Sequence, residues 1–306
     1  MVTVAERNPL EVELAGLKMA NPVILASGVM GTTPGGLARV TREGAGGVAT
    51  KSLGPEPREG HPAPNVVKVT AGYLNAMGLP NPGVEEFARE LVGTEMDSTV
   101  FGSIYAHDTE EFCRVAGVIE PVVHALELNL SCPHADSLGS AIGSRPSLVE
   151  EIVSGVVEEV KIPVFAKLTP SVADITEIGG AAESAGADGV VAINTLPGMA
   201  IDVETKTPIL GNKSGGLSGP AVHPVAVKSV YDLYEELSIP IIGVGGIETG
   251  EDLAEIMLAG ATAVQVGTAI ADRGMSIFRE LNSWLADYLD FHKISISELV
   301  GKAHEF

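Results

Sequence analysis

Short apolar runs recur along the whole chain, spaced so that a helix fits between most neighbours. Eight have strand length: residues 22–26, 46–51, 100–105, 125–130, 163–168, 189–194, 240–244 and 263–266. They are nearly continuous in Val, Ile, Leu and Ala, the pattern of strands covered on both faces. Intervening stretches carry a helical period. In residues 147–160, Val149, Ile152, Val153, Val156 and Val157 share one face, with Ser147 as the expected cap. Thr249 is the expected cap of another helix, with Leu253, Ile256 and Met257 inward. Eight strand–helix units predict an α/β fold with a closed parallel sheet, a (β/α)8 TIM barrel, as a single domain over residues 1–306. A doubly wound open sheet is the alternative, and it offers no reason for eight units.

Three stretches interrupt the rhythm. Residues 10–19 alternate apolar and polar around Gly16, predicting a small N-terminal hairpin that seals the lower end of the barrel. Residues 54–82 and 196–220 are long insertions rich in Gly, Pro and polar side chains. Both leave the C-terminal ends of strands, so both are expected to roof the mouth, where long loops commonly serve function. No linker or tandem repeat beyond the barrel unit appears.

Charge narrows the function classes. Forty acidic against 19 basic side chains give a formal net charge of -21. That sign disfavours nucleic-acid binding and docking on anionic membranes. The two cysteines, Cys113 and Cys132, cannot make a disulfide framework or supply an iron–sulfur cluster. Residues 1–11 carry no apolar secretory segment, and no apolar run has the length of a membrane span. A cytoplasmic protein is expected. The seven histidines have no zinc-like spacing, and no metal site is expected.

Candidate chemistry gathers where strands end. Cys132 follows the fourth strand, in a loop position where barrels present reactive groups. A lone cysteine is most often a small buried hydrophobe. A thiol can nevertheless accept a proton without a metal, because its reference pKa of about 8.5 is readily tuned. The seventh strand runs into Gly245-Gly246 and the eighth into Gly267-Thr268, the places where barrels commonly hold a phosphate. That phosphate could belong to a substrate or to a flavin nucleotide. Lys51 and Lys167 end strands two and five, either snorkelling at the rim or holding a negative group. Asn75, Asn129 and Asn194 offer amides suited to a planar ligand with ring N–H and C=O groups, or to plain capping. No pair of carboxylates stands at the strand ends, which leaves a glycosidase mechanism without support.

These motifs, from Leu10 to beyond Ala269, resemble the flavin-dependent dihydroorotate dehydrogenases of the cysteine-base class, class 1. The resemblance rests on Asn21-Pro22 with Ala26-Ser27-Gly28, Lys51-Ser52, Asn75-Ala76-Met77-Gly78-Leu79 with Asn81-Pro82-Gly83, and Glu127-Leu128-Asn129-Leu130-Ser131-Cys132-Pro133. It continues through Lys167-Leu168-Thr169-Pro170, Ile193-Asn194-Thr195, Gly215-Gly216-Leu217-Ser218-Gly219, Gly245-Gly246 and Gly267-Thr268. It implies oxidation of (S)-dihydroorotate to orotate in pyrimidine (UMP) biosynthesis, with one FMN per subunit across the barrel top and Cys132 as the base. It further implies substrate contacts from Lys51, Asn75, Ala76, Met77, Gly78, Leu79, Asn129, His134, Asn194 and Thr195. FMN contacts would come from Ser27, Lys51, Ser52, Ser103, Asn129, Lys167, Ile193, Gly219, Gly245, Gly246, Gly267 and Thr268. The membrane-associated class differs, with serine as base and an N-terminal extension.

Two positions depart from the family pattern. His134 stands where many relatives carry a substrate-binding asparagine, which leaves a reductase of another dihydropyrimidine as an alternative. Ser103 stands where several carry an FMN-contacting asparagine, and its shorter reach would need a bridging water. The segments at residues 10–17 and 217–220 look most like the NAD+-linked type 1B catalytic subunit. That subclass implies a partner subunit carrying FAD and a 2Fe–2S cluster, in a heterotetramer around a core homodimer. This chain has no Rossmann phosphate loop of its own. A homodimer reducing fumarate is the alternative.

Overall fold

The computed structural model describes residues 8–131 and 142–305. Eight parallel strands close into a barrel in sequence order. They are Val23–Leu25, Gly47–Ala49, Thr99–Ile104, Ala125–Asn129, Val164–Leu168, Gly189–Ala192, Ile241–Val244 and Ala263–Val266. They are called barrel strands one to eight below, and all fall within the runs read from the apolar pattern, with strand three starting one residue early. Closure is completed by strand eight, whose Gln265 pairs in register with Ile24 of strand one.

Helices separate the strands and cover the sheet from outside. Pro34–Arg42, Val84–Leu91, Thr109–Ile119, Pro146–Glu159, Ile175–Ser184, His223–Glu236 and Gly250–Leu258 follow strands one to seven. Ala269–Arg273 and Ile277–His292 follow strand eight. Thr249 caps its helix as expected, in a reciprocal box with Asp252. Ser147 does not. Its helix starts two residues earlier than that cap would place it, with Arg145 at the cap position and Pro146 as first helical residue, where the missing N–H is not needed.

The N-terminal hairpin pairs Val12–Leu14 with Leu17–Met19. Ala15 and Gly16 both have positive φ, as a tight two-residue hairpin turn requires. Leu14 and Met19 are buried, and the hairpin lines a cleft with Gly46, Thr99 and His124 at the N-terminal ends of the strands. It lies at the lower end of the barrel, as its pattern suggested.

The two insertions join into one structure. Strands Val66–Val69, Gly72–Asn75, Leu196–Gly198 and Gly215–Ser218 form a four-stranded antiparallel sheet. Its central pairing sets Gly72–Asn75 against Gly215–Ser218, with Asn75 opposite Gly216. Leu74, Ala76 and Leu210 form a small separate core beneath it. Lys68 and Tyr73 of this sheet reach Asp272 on Ala269–Arg273, at 2.6 and 2.9 Å. The roof is thereby fastened to the segment after strand eight.

Inside the barrel the lower layer is apolar. Phe101 and Phe165 meet edge to face at 5.6 Å. Gly47 and Gly189 leave space for those rings: a Cβ at Gly189 would stand 2.5 Å from Phe165, and one at Gly47 3.2 Å from Phe101. Side chains two residues further along a strand point the same way, one layer higher. That period carries Phe101 to Ser103, Phe165 to Lys167 and Ala263 to Gln265. The interior thus passes from aromatic to polar on approaching the mouth.

Candidate active site

Above the Phe layer, polar side chains from seven barrel strands or strand ends form one hydrogen-bonded network. Ser52 Oγ is its crossing point, 3.3 Å from Ser27 Oγ, 3.0 Å from Ser103 Oγ and 3.1 Å from Asn129 Nδ2. Asn194 Nδ2 donates to Asn129 Oδ1 at 3.3 Å, and Asn194 Oδ1 accepts from the Thr195 N–H at 2.8 Å. Asn129 and Asn194, read from the strand ends, and the three serines implied by the resemblance therefore lie together. Ser103 is fully buried and donates to Glu127 at 3.2 Å. It sits a layer beneath the amides.

Both lysines are buried, and they differ in what meets them. Lys167 Nζ donates to Glu127 Oε1 and to Gln265 Oε1, each at 3.1 Å. Lys51 Nζ finds no hydrogen-bond or ion-pair partner among the described residues. Burial pushes the Lys51 pKa down, and the nearby Lys167 charge pushes it further. A buried ammonium without a counter-charge is costly, so this position favours an anionic ligand. The Lys51 backbone is fixed by its N–H donating to Gly31 O at 2.9 Å. A Cβ at Gly31 would come within 2.7 Å of that same nitrogen.

The glycine turns after strands six to eight converge as well. Gly219, Gly245 and Gly246 all have positive φ. A Cβ on Gly246 would stand 2.7 Å from Gly219 O, and one on Gly219 would stand 3.5 Å from Thr268 Cγ2. Gly219, Gly246 and Thr268 thus form a cradle that side chains would fill. His223 Nδ1 lies 2.8 Å from Gly245 O and pins this turn to the helix His223–Glu236. Ile193, between strands six and seven, is buried and donates its N–H to Val244 O at 2.9 Å. Gly267 lies in the turn between strand eight and Thr268, and a Cβ on it would face Ala26 at 3.3 Å.

The roof supplies the last group. Asn75 ends its strand with Nδ2 3.3 Å from Gly216 O. Ala76, Met77, Gly78 and Leu79 follow, shaped by positive φ at Gly78 and Leu79. The turn is held from outside by the His61 N–H donating to Met77 O at 2.9 Å. Buried Asn81 donates to Leu79 O at 2.9 Å and to the Tyr105 hydroxyl at 3.1 Å. A Cβ on Gly216 would stand 2.1 Å from Thr195 Oγ1, so this glycine lets the roof close onto the strand-six end. Cys132 and His134 lie outside the described residues. The strand leading to them ends at Asn129, whose Oδ1 accepts the Ser131 N–H at 3.3 Å.

Glu127 and Gln265 were absent from the sequence-based site. Their available signal was a charged and an amide side chain at inward positions of otherwise apolar strands. Asn81, which braces the roof turn, was quoted only within the family motif, and His223, which braces the glycine cradle, carried no signal.

Fold and mouth together define a barrel enzyme whose site is assembled from strand ends and the loops that follow them. Residues 9–289 match the model of the dihydroorotate dehydrogenase family. The chain is 50% identical over 301 residues to the dihydroorotate dehydrogenase B (NAD(+)), catalytic subunit, of Methanocaldococcus jannaschii, covering 97% of this chain and 98% of that one. It is 54% identical over 297 residues to the protein of the same name from Methanosarcina acetivorans, covering 95% of each. With the one from Pyrococcus abyssi it shares 52% over 295 residues, 96% of this chain and 99% of the other. The chain belongs to the dihydroorotate dehydrogenase family.

Proposed function

We propose that this chain, acting as one catalytic domain, oxidises (S)-dihydroorotate to orotate in pyrimidine biosynthesis and passes the electrons towards NAD+ through a partner subunit. What carries the reading is one juxtaposition: a buried Lys51 with no partner among the described residues, next in sequence to the Ser52 that binds the Asn129–Asn194 amide pair, with the glycine cradle at the same mouth. Family membership and relatives of about half identity over nearly the whole chain support it.

The residues present fit FMN. Gly219, Gly245, Gly246, Gly267 and Thr268 would take its phosphate, at a cradle left open by the lack of side chains. Ser27, Ser52, Ser103, Asn129, Lys167 and Ile193 would hold the ring system. FMN, when bound, supplies the acceptor for the hydride that leaves substrate C6.

The chain's own residues have the remaining roles. Lys51 would offset the substrate carboxylate, and Asn75, Asn129, Asn194 and Thr195 would orient its amide edges. The turn Ala76, Met77, Gly78 and Leu79 would close over the ring and exclude water, with His134 as a further donor. Cys132 would take the C5 proton on Sγ. The C5–H and C6–H bonds break, the C5=C6 double bond forms, and the two electrons leave with the hydride.

A partner subunit carrying FAD and a 2Fe–2S cluster would take the electrons onward, in a cytoplasmic heterotetramer around a core homodimer of this chain. Among the described residues no helix is long and apolar enough to cross a membrane. The test is anaerobic addition of dihydroorotate to the FMN-loaded chain, which should bleach the visible flavin absorbance. No bleaching by dihydroorotate, with bleaching by dihydrouracil, would move the assignment to another dihydropyrimidine. Native purification should bring down iron and FAD with the chain. A lone homodimer turning over rapidly with fumarate would overturn the NAD+ route alone.

A further inference from the structure

Glu127 is a fully buried carboxylate that the proposed chemistry does not use. Three other strands deliver donors to it. Ser103 Oγ and Lys167 Nζ reach Oε1 at 3.2 and 3.1 Å, and Gln265 Nε2 reaches Oε2 at 2.6 Å. Gln265 also accepts from Lys167 at 3.1 Å, so its amide orientation is dictated from both ends. Lys167, Glu127 and Gln265 form a closed triangle across the barrel. Among the described residues the floor of the mouth then holds two ammonium groups and one carboxylate, and that carboxylate is committed to Lys167.

A cation beside the pyrimidine edge of a flavin favours the reduced, more negative form. How strongly it does so depends on how much of its charge is already offset. We propose that Glu127 is a positioning residue that holds the Lys167 ammonium in place and offsets its charge, thereby setting how far Lys167 favours reduced flavin. The proposal rests on the FMN reading of this site. It gives a direction opposite to that of simple damage: removing the Glu127 charge should make the bound flavin easier to reduce.

The experiment measures FMN content and flavin redox potential for four purified proteins. They are the wild type, Glu127→Gln, Lys167→Met and the double variant. Glu127→Gln should retain FMN and shift the oxidised–reduced equilibrium towards reduced by about tenfold or more, about 30 mV for a two-electron couple. Lys167→Met should shift it the other way. With Lys167 gone, Glu127 has no ammonium to hold or to offset. The double variant should therefore match Lys167→Met within about threefold, about 15 mV. That comparison decides the matter even if Glu127→Gln alone fails to fold.

An unmoved or lowered potential in Glu127→Gln overturns the proposal. So does a double variant that differs from Lys167→Met by tenfold, because Glu127 would then act on the flavin without Lys167. A wild-type chain that takes up no FMN overturns the flavin reading itself, and this proposal with it.

Discussion

Lys51 lies in the field of Lys167, and that neighbouring charge adds to burial in pushing the Lys51 pKa below its ordinary value. Lys167 has Glu127 at 3.1 Å, whereas Lys51 finds no such partner among the described residues. The asymmetry marks Lys51 as the cation kept for an incoming anion.

A pH dependence follows from this asymmetry. Unfolded, Lys51 titrates near 10.5; folded and ligand-free, it releases its proton at lower pH. Between those two values the unfolded chain binds more protons, so stability rises with pH across that window. Below the folded pKa the cost of the buried cation is present in full. Lys51→Met should raise the stability of the ligand-free protein at neutral pH by on the order of 1 kcal/mol. The gain should shrink as pH climbs towards 10.5. Orotate binding, followed by calorimetry, should weaken as pH rises through the lowered Lys51 pKa. It should be weak and lack that dependence in Lys51→Met. A pH-independent affinity in the unmodified protein would remove Lys51 from the anion site.

The glycine cradle gives a second test. Gly246 has φ +67, and a Cβ there would stand 2.7 Å from Gly219 O and 2.8 Å from His223 Cβ. A side chain in this backbone region costs roughly 1–2 kcal/mol before any clash is counted. The turn can relieve both only by moving away from Gly219, which opens the cradle. Gly246→Ala should lower FMN affinity by about tenfold or more. Gly35→Ala, where a Cβ meets nothing within 4 Å, should retain FMN at the normal level. Equilibrium dialysis of FMN against the two apoproteins distinguishes them.

Helix capping separates a correct reading from an incorrect one. Thr249 Oγ1 accepts the Asp252 N–H at 3.2 Å, and Asp252 Oδ2 accepts the Thr249 N–H at 2.8 Å. Thr249→Ala should cost about 1 kcal/mol. Ser147, inside its helix, should cost within about 0.5 kcal/mol when changed to Ala. Thermal denaturation of the two variants makes the comparison.

The same contrast describes what the chain disclosed before its structure. Apolar runs, period-two alternation and period-3.6 patterns are local, so all eight barrel strands, the hairpin at residues 10–19 and the strand-end lysines and asparagines were legible. The roof sheet was not, because Asn75 and Gly216 pair across 141 residues and nothing in either segment names its partner. Glu127 was missed for the same reason. Read in its own strand it is a carboxylate among apolar residues, and nothing there names its partners. Its role emerges only when barrel closure brings Lys167 from 40 residues away and Gln265 from 138. Ser147 misled because the cap preference for Ser competed with the fit of Pro146 to the first helical position.

Cys132 provides the test closest to the chemistry. It follows Ser131, whose N–H is held by Asn129 Oδ1 at 3.3 Å, so the chain enters the loop from an anchored strand end. Removing the C5 proton needs an acceptor that is basic near neutral pH. A thiol with a reference pKa of about 8.5 qualifies, and a serine hydroxyl of the same shape does not. General base catalysis contributes roughly 10²–10⁴-fold, so Cys132→Ser should slow flavin reduction by dihydroorotate by a factor in that range. FMN content should not change, because the proposed FMN contacts come from other residues. The residual rate should keep rising with pH beyond the point where the unmodified enzyme levels off, since the remaining acceptors are weaker bases. Anaerobic stopped-flow mixing of the FMN-loaded variant with dihydroorotate reads both the rate and its pH profile. Reduction at the unmodified rate would reject Cys132 as the base and leave the proton acceptor to be sought among the other groups at the mouth.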